Sequence, residues 1–175
     1  MSDDKLLDLQ HALKTYLDGL EYFSNASAGA LARPISITTE DVGDLDDEVT
    51  RALGQAGGLH VHIRTVGGQI PSADTGGPVF EPAVLHLRVF EKPVINRDPT
   101  VGTYQPASSV ADALIRHLWT FHTTMPGYNP VVPKSRMYGE EKAEGGEIIP
   151  FYDVLCEVTI ALSEATPTRL PLPTP

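Results

Sequence analysis

The chain has 175 residues, 41% of them hydrophobic and 21% charged, with a formal net charge of −10. A domain of this size buries roughly 70% of its unfolded surface, so it needs neither disulfides nor a metal to fold. The acidic balance repels phosphate and argues against nucleic-acid binding, specific or sequence-independent. No apolar run reaches the ~20 residues of a membrane-spanning helix.

The opening MSDDKLLDLQ is acidic and then amphipathic, unlike a signal peptide, so folding in a cytoplasm is expected. Charge is spread unevenly. Residues 1–50 hold eleven acids against three bases, 51–139 five against eight, and 140–175 seven against two. A surface of one sign could therefore meet the opposite surface of another copy.

Leu6, Leu9, Leu13, Tyr16, Leu17 and Leu20 fall three or four apart, predicting a helix over Leu6–Phe23. Asp3 and Asp4 suit its start, where the dipole favours negative charge. NASAGALARP ends it, and Ile35 and Ile37 predict a short edge strand. The acids Asp41, Asp44, Asp46, Asp47 and Glu48 lack calcium-loop spacing; they read as the cap and first turn of a short helix from about Asp46 to Leu53.

LHVHIRTV, Leu59–Val66, alternates cleanly and predicts a strand with Leu59, Val61 and Ile63 on its buried face. Gly67–Pro78 is a Gly-rich connector without the pattern of a phosphate loop. EPAVLHLRVFEK is the second clear strand, with Leu85, Leu87 and Val89 opposite His86, Arg88 and Phe90. A second helix is predicted from about Ser109 to His122, opened by a capping pair of Ser109 and Asp112. Its stripe is Val110, Leu114, Leu118 and Phe121. A ragged strand over Val131–Met137, a charged tip GEEKAEGGE and a long strand over Ile148–Leu162 complete the pattern. The fold class is α+β: two layers, a mainly antiparallel sheet of three to five strands covered on one face by two long helices. The domain is expected over residues 1–165, with a Pro-rich, extended tail over 166–175.

Chemical candidates are few. Cys156 lies in an apolar run and reads as a buried, inert thiol. His60 and His62 share a strand face, and His86 could supply a third zinc ligand if the strands pair in register. The same positions, with Arg64 and Arg88, equally form a basic face turned to solvent or to an interface. The bland reading is preferred: no metal, no cofactor, no catalytic residues. His117 and His122 are too far apart around a helix to share a ligand. No G-x-S-x-G marks a nucleophile, and Glu140, Glu141, Glu144 and Glu147 sit on a tip where they stay solvated.

The segment from Glu91 to Ala107 is a polar connector restricted by Pro93, Pro99 and Pro106, and it reads as extended and stiff. Asn96, Arg97 and Asp98 offer hydrogen-bonding groups from that support, which lowers the entropy lost on docking. The element order, with its block VFEKPVINR followed by GTYQPASSVADALIRHLW, resembles the tail terminator (tail completion) proteins of long-tailed bacteriophages over roughly Leu6–Ser163. The resemblance implies a non-enzymatic virion protein, made in the host cytoplasm and placed at the head-proximal end of the tail. It implies a homo-oligomeric ring, typically a hexamer, that caps the tail tube protein, ends tube growth and meets a head–tail connector protein. DNA would pass through without specific binding. By position, Glu91, Asn96 and Arg97 would be subunit or tube contacts. The long Gly67–Pro78 loop and the Pro-rich tail depart from the family's pattern. The alternatives are a small metal-dependent hydrolase built on His60, His62 and His86, or a head-completion or adaptor protein acting through its Pro-rich tail.

Overall fold

The computed structural model describes residues 5–24, 35–41, 53, 57–66, 80–98, 100, 104–121, 130–142 and 146–161. The helix expected over Asp46–Leu53 (Leu53 apart), the Gly67–Pro78 connector, His122 and the Pro-rich tail lie outside them. Within these residues the chain runs α1 (Lys5–Asp18), α2 (Glu21–Ser24), β1 (Ser36–Thr39), β2 (Leu59–Val66) and β3 (Phe80–Glu91). There follow α3 (Pro93–Asn96), α4 (Ala107–Leu118), β4 (Val132–Lys142) and β5 (Ile148–Ala161). The class is α+β. One five-stranded sheet has the order β1-β2-β3-β5-β4. It is mixed, because β1 runs parallel to β2 while every other pair is antiparallel.

Period-two alternation sets the register of the central strands. Pairing His62 with Arg88 and Ile63 with Leu87 puts Leu59, Val61 and Ile63 of β2 and Ala83, Leu85, Leu87 and Val89 of β3 on one face, while Val66, Val84 and Phe90 fall on the other. On the first face Val61, Ile63, Leu85, Leu87, Val154 and Cys156 join Leu9, Leu13 and Leu17 of α1 and Val110, Leu114 and Leu118 of α4 in one core. Helix α1 packs on β1 and β2, and α4 on β3 and β5. Gln10 is fully buried in α1 yet satisfied: its amide donates to Thr65 Oγ1 at 3.1 Å and its carbonyl accepts from Glu40 N at 3.1 Å. Tyr16 ties α1 to α4 through a 3.3 Å bond from its hydroxyl to the His117 carbonyl.

Several element ends differ from the sequence pattern, each for a local reason. The first helix is two pieces, because Leu20 N–H bonds back three residues to Leu17 O rather than four. The chain restarts as α2 and turns Phe23 into the core at 1% exposure. Helix α4 begins at Ala107 and ends at Leu118. Its N-cap residue is Pro106, without a side-chain cap bond, so the expected Ser109–Asp112 capping pair does not open it; Asp112 instead pairs with Arg136 of β4. Its end is fixed by Thr120, whose N–H (3.1 Å) and hydroxyl (2.9 Å) both take the His117 carbonyl. Strand β4 continues to Lys142, through half of what reads as a loop tip. Gly139 pairs with Phe151, whose ring occupies the space a side chain at 139 would need; an added Cβ would lie 2.3 Å from it.

Cys156 is fully buried in this core, and burial pushes its thiol up to about 12. The reactive thiolate is therefore scarce at neutral pH. A disulfide reagent such as DTNB is expected to leave the native protein unlabelled over minutes and to titrate one thiol at once in denaturant. Rapid labelling of the native chain would contradict this placement.

Candidate functional site

The connector is where the sequence candidates lie. Strand β3 delivers Glu91, and the next residue anchors the turn by Lys92 N donating to Gly58 O at 2.8 Å. This close approach depends on Gly58, which has φ +88°; a Cβ there would lie 2.7 Å from Asn96 N and 2.8 Å from Lys92 O. The segment is not extended throughout. Pro93 opens a single helical turn, a favourable first position because proline has no N–H to leave unpaired. Asn96 N and Arg97 N close that turn on Lys92 O and Pro93 O, both at 2.9 Å. Asp98 Oδ1 then accepts from Thr100 N at 2.8 Å and Thr100 Oγ1 at 2.6 Å, an Asx turn.

Glu91 organises the rest. Its Oε1 accepts from Asn96 Nδ2 at 2.9 Å, and its Oε2 accepts from Ala107 N at 3.0 Å, the first residue of α4. Asn96 Nδ2 also donates to Gln105 O at 2.8 Å. One carboxylate thus joins the end of β3, the turn of α3 and the start of α4. It also performs the capping that no local residue supplies, in a position favoured by the helix dipole. Glu91 and Asn96 are 6% and 0% exposed, so their side chains face inward. Of the three residues named from the sequence only Arg97 is on the outside, with its guanidinium carbon 5.7 Å from the centre of the Tyr104 ring. Val94 and Tyr104 are exposed beside it, at 78% and 44%.

The second candidate is the sheet face turned away from α1 and α4. His60, His62 and His86 all lie on it, but they are buried rather than presented to solvent or to an interface. Part of this cover is a small second core of Leu53 and Phe90, with Ile149 and Phe151 packed against it. His60 Nε2 and His62 Nδ1 both lie 3.1 Å from Thr38 Oγ1, whose single hydroxyl proton can go to only one of the two rings. His86 is engaged elsewhere. Its Nδ1 accepts from Arg64 Nε at 2.8 Å, which assigns the ring proton to Nε2, and Nε2 lies 2.8 Å from Asp153 Oδ1. That oxygen sits off the line of an aligned hydrogen bond, so the contact is a close polar approach of the ring N–H to the carboxylate. Among the described residues no three or more His, Cys, Asp or Glu side chains are grouped to hold a metal ion. The three histidines considered for zinc are instead divided between Thr38 and Asp153.

Asp153 is the residue that the sequence pattern underrated. Arg88 holds it in a bidentate pair, Nε to Oδ1 at 2.7 Å and Nη2 to Oδ2 at 3.0 Å. Arg88 also lies 3.9 Å from the centre of the Phe151 ring and reaches Glu141 at 3.4 Å. Arg64, His86, Asp153, Arg88 and Glu141 therefore form one strip across β2, β3, β5 and β4. Its only advance signal is that Asp153 alternates with core residues on β5, which puts it on the same face as His86 and Arg88. Burial would raise the Asp153 carboxyl, but the close contacts of His86 and of the Arg88 guanidinium outweigh it and hold the group at about 2.

His62 carries a testable pH dependence. Burial, reinforced by Arg64, His86 and Arg88 and opposed by Glu40, lowers it from 6.5 to about 4. Between those values the unfolded chain binds a proton that the native chain refuses, so stability falls as pH drops from 6.5 towards 4. A loss on the order of 2 kcal/mol is expected across this window. Thermal unfolding of wild type and His62→Gln from pH 7.5 to 4 checks it. Gln keeps a partner for Thr38 and should flatten the slope; an unchanged slope would place the titration elsewhere.

Chemically, the strip is a cross-strand tie, buried at His86 and Asp153 and exposed at its Arg64 and Glu141 ends, and the connector is a stiff surface with an exposed aliphatic, cationic and aromatic edge. No protein-family model and no curated protein matches the chain.

Proposed function

We propose that the chain is a structural subunit that assembles with copies of itself into a ring, as the tail terminator proteins it resembles do, capping a phage tail tube and meeting a head–tail connector. On this reading it is a virion protein and not an enzyme, and α1 and α4 form the second layer of a two-layer domain. The observation that carries the reading is the connector clamp. Glu91 and Asn96 fix the backbone from within, so that Val94, Arg97 and Tyr104 are held out in one arrangement before any partner arrives. Exposed apolar surface on a preorganised support loses little entropy on docking, as an assembly contact requires. Arg97 is then the direct contact, while Glu91 and Asn96 act through the shape they impose. The uneven charge of the chain suits a head-to-tail interface, in which two different patches meet.

Native mass spectrometry of the full chain, with and without chelator, followed by electron microscopy with tail tubes of a long-tailed phage, tests the reading. A metal-free ring, or a chain that binds tube ends, supports it. Loss of that assembly in Val94→Glu and Arg97→Glu, with thermal stability retained, would assign the contact to the connector. A monomer that ignores tubes, or one that carries one zinc per chain, would sink the proposal.

A further inference from the structure

Strand β4 is an open edge of the sheet, paired only to β5 among the described strands. Its regular ladder runs from Ser135 to Lys142, because the irregularity between Pro133 and Ser135 breaks the pairing before it. An open edge of this length invites another strand, and natural edges are usually protected by charge. Here the charges are ordered about the middle of the strand: Lys134 and Arg136 precede it, Glu140 and Glu141 follow it, and Lys142 closes the strand. The middle itself is apolar and exposed, with Met137 at 50% and Tyr138 at 56%.

We infer that β4 pairs antiparallel with β4 of a second copy about a two-fold axis at Tyr138, joining the two sheets into one. In that register residues directly opposite share a face. On one face Arg136 meets Glu140 of the second copy, Tyr138 meets Tyr138, and Glu140 meets Arg136. Within its own copy Arg136 also pairs with Asp112, and the Tyr138 hydroxyl donates to Glu140 of the same strand. On the other face, Met137 lies opposite Gly139 of the second copy, where the Phe151 ring fills the space a side chain would take and offers an apolar contact. Ser135 falls opposite Glu141. Over Ser135–Glu141 the strand is thus complementary to its own reverse; Lys134 and Lys142 fall opposite each other at the ends of the pairing, where Lys134 lies at the irregularity and is held by Glu157. A parallel partner of the same sequence would set Arg136 beside Arg136 and Glu140 beside Glu140. The contact closes on itself and leaves the connector of each copy free. It stands independently of the ring reading: a head-to-tail ring must use other surfaces.

The test uses the full chain in sedimentation equilibrium over a range of concentrations, with circular dichroism as the control for folding. Wild type is expected to form a dimer. Arg136→Glu and Glu140→Arg should each weaken it about tenfold, since either change sets like charges opposite each other twice across the axis. The combined Arg136→Glu and Glu140→Arg chain should recover the dimer. In a separate readout Tyr138→Cys should give a disulfide-linked dimer on mild oxidation, because the two cysteines face each other at the axis. Ser135→Cys, whose counterpart lies at the far end of the pairing, should not. A monomer at every concentration would overturn the inference. So would an oligomer indifferent to both charge reversals, or cross-linking at 135 as efficient as at 138. A ring assembled through the connector would survive all of these substitutions, which separates failure of this inference from failure of the ring reading.

Discussion

Glu91→Ala is expected to destabilise the chain by about 2–4 kcal/mol, lowering the melting temperature by roughly 5–15 °C. Three losses add up. Ala107 N–H is left buried without its acceptor, helix α4 loses the carboxylate at its start, and a cavity opens where the side chain was. Asn96 keeps its bond to Gln105 O, so the loop would loosen rather than detach completely. Glu91→Gln should cost about half as much, because its amide offers one acceptor oxygen to two donors. Ser109→Ala is the informative control, since Ser109 does not cap the helix and its replacement should stay within about 0.5 kcal/mol. Equal effects at 91 and 109 would mean that the helix is capped locally after all.

The second large effect is expected on the cross-strand strip. Asp153→Ala leaves Arg88 partly buried against Phe90 and Phe151 with only the more distant Glu141, and should cost about 2–4 kcal/mol. Removing one member of a buried pair is costly because the charge that remains loses both water and partner. Replacing both should cost much less: Arg88→Met with Asp153→Leu fills the same space with apolar atoms. Chemical denaturation of the two single variants and the double variant measures the coupling. Simple additivity of the single effects would show that the pair is not the source. The same pair sets the acid limit. The native carboxyl sits at about 2 against 3.8 ordinarily, so its contribution is complete above pH 4 and is lost as pH falls towards 2. In Asp153→Ala this last part of the acid transition should be missing.

Much of the framework was legible from residue order alone. Strand β2 matches the alternating run Leu59–Val66 end for end, because period two leaves one choice of buried face. Strand β5 matches to one residue for the same reason. The apolar stripes of α1 and α4 were equally plain, as was the inert environment of Cys156. These features depend on the spacing of hydrophobic side chains along a single element, and neighbours in sequence are enough to define it.

What the tertiary structure decided was every interaction between groups distant in sequence. The cap of α4 comes from Glu91 at the end of β3, and only the fold of the connector brings that carboxylate to Ala107. Asp153 reaches His86 and Arg88 only through the β3–β5 register. The three histidines share a face as their alternation implies, yet Thr38 and Asp153 divide them, and that division depends on strands joined by long connections. Asn96 and Arg97 are adjacent in sequence but end on opposite sides of the surface, one fully buried and the other exposed. Sequence fixes which face of an element is apolar through the periodic cost of exposing it to water. It does not fix which polar group meets which, because many pairings have nearly the same energy until the packed backbone selects one.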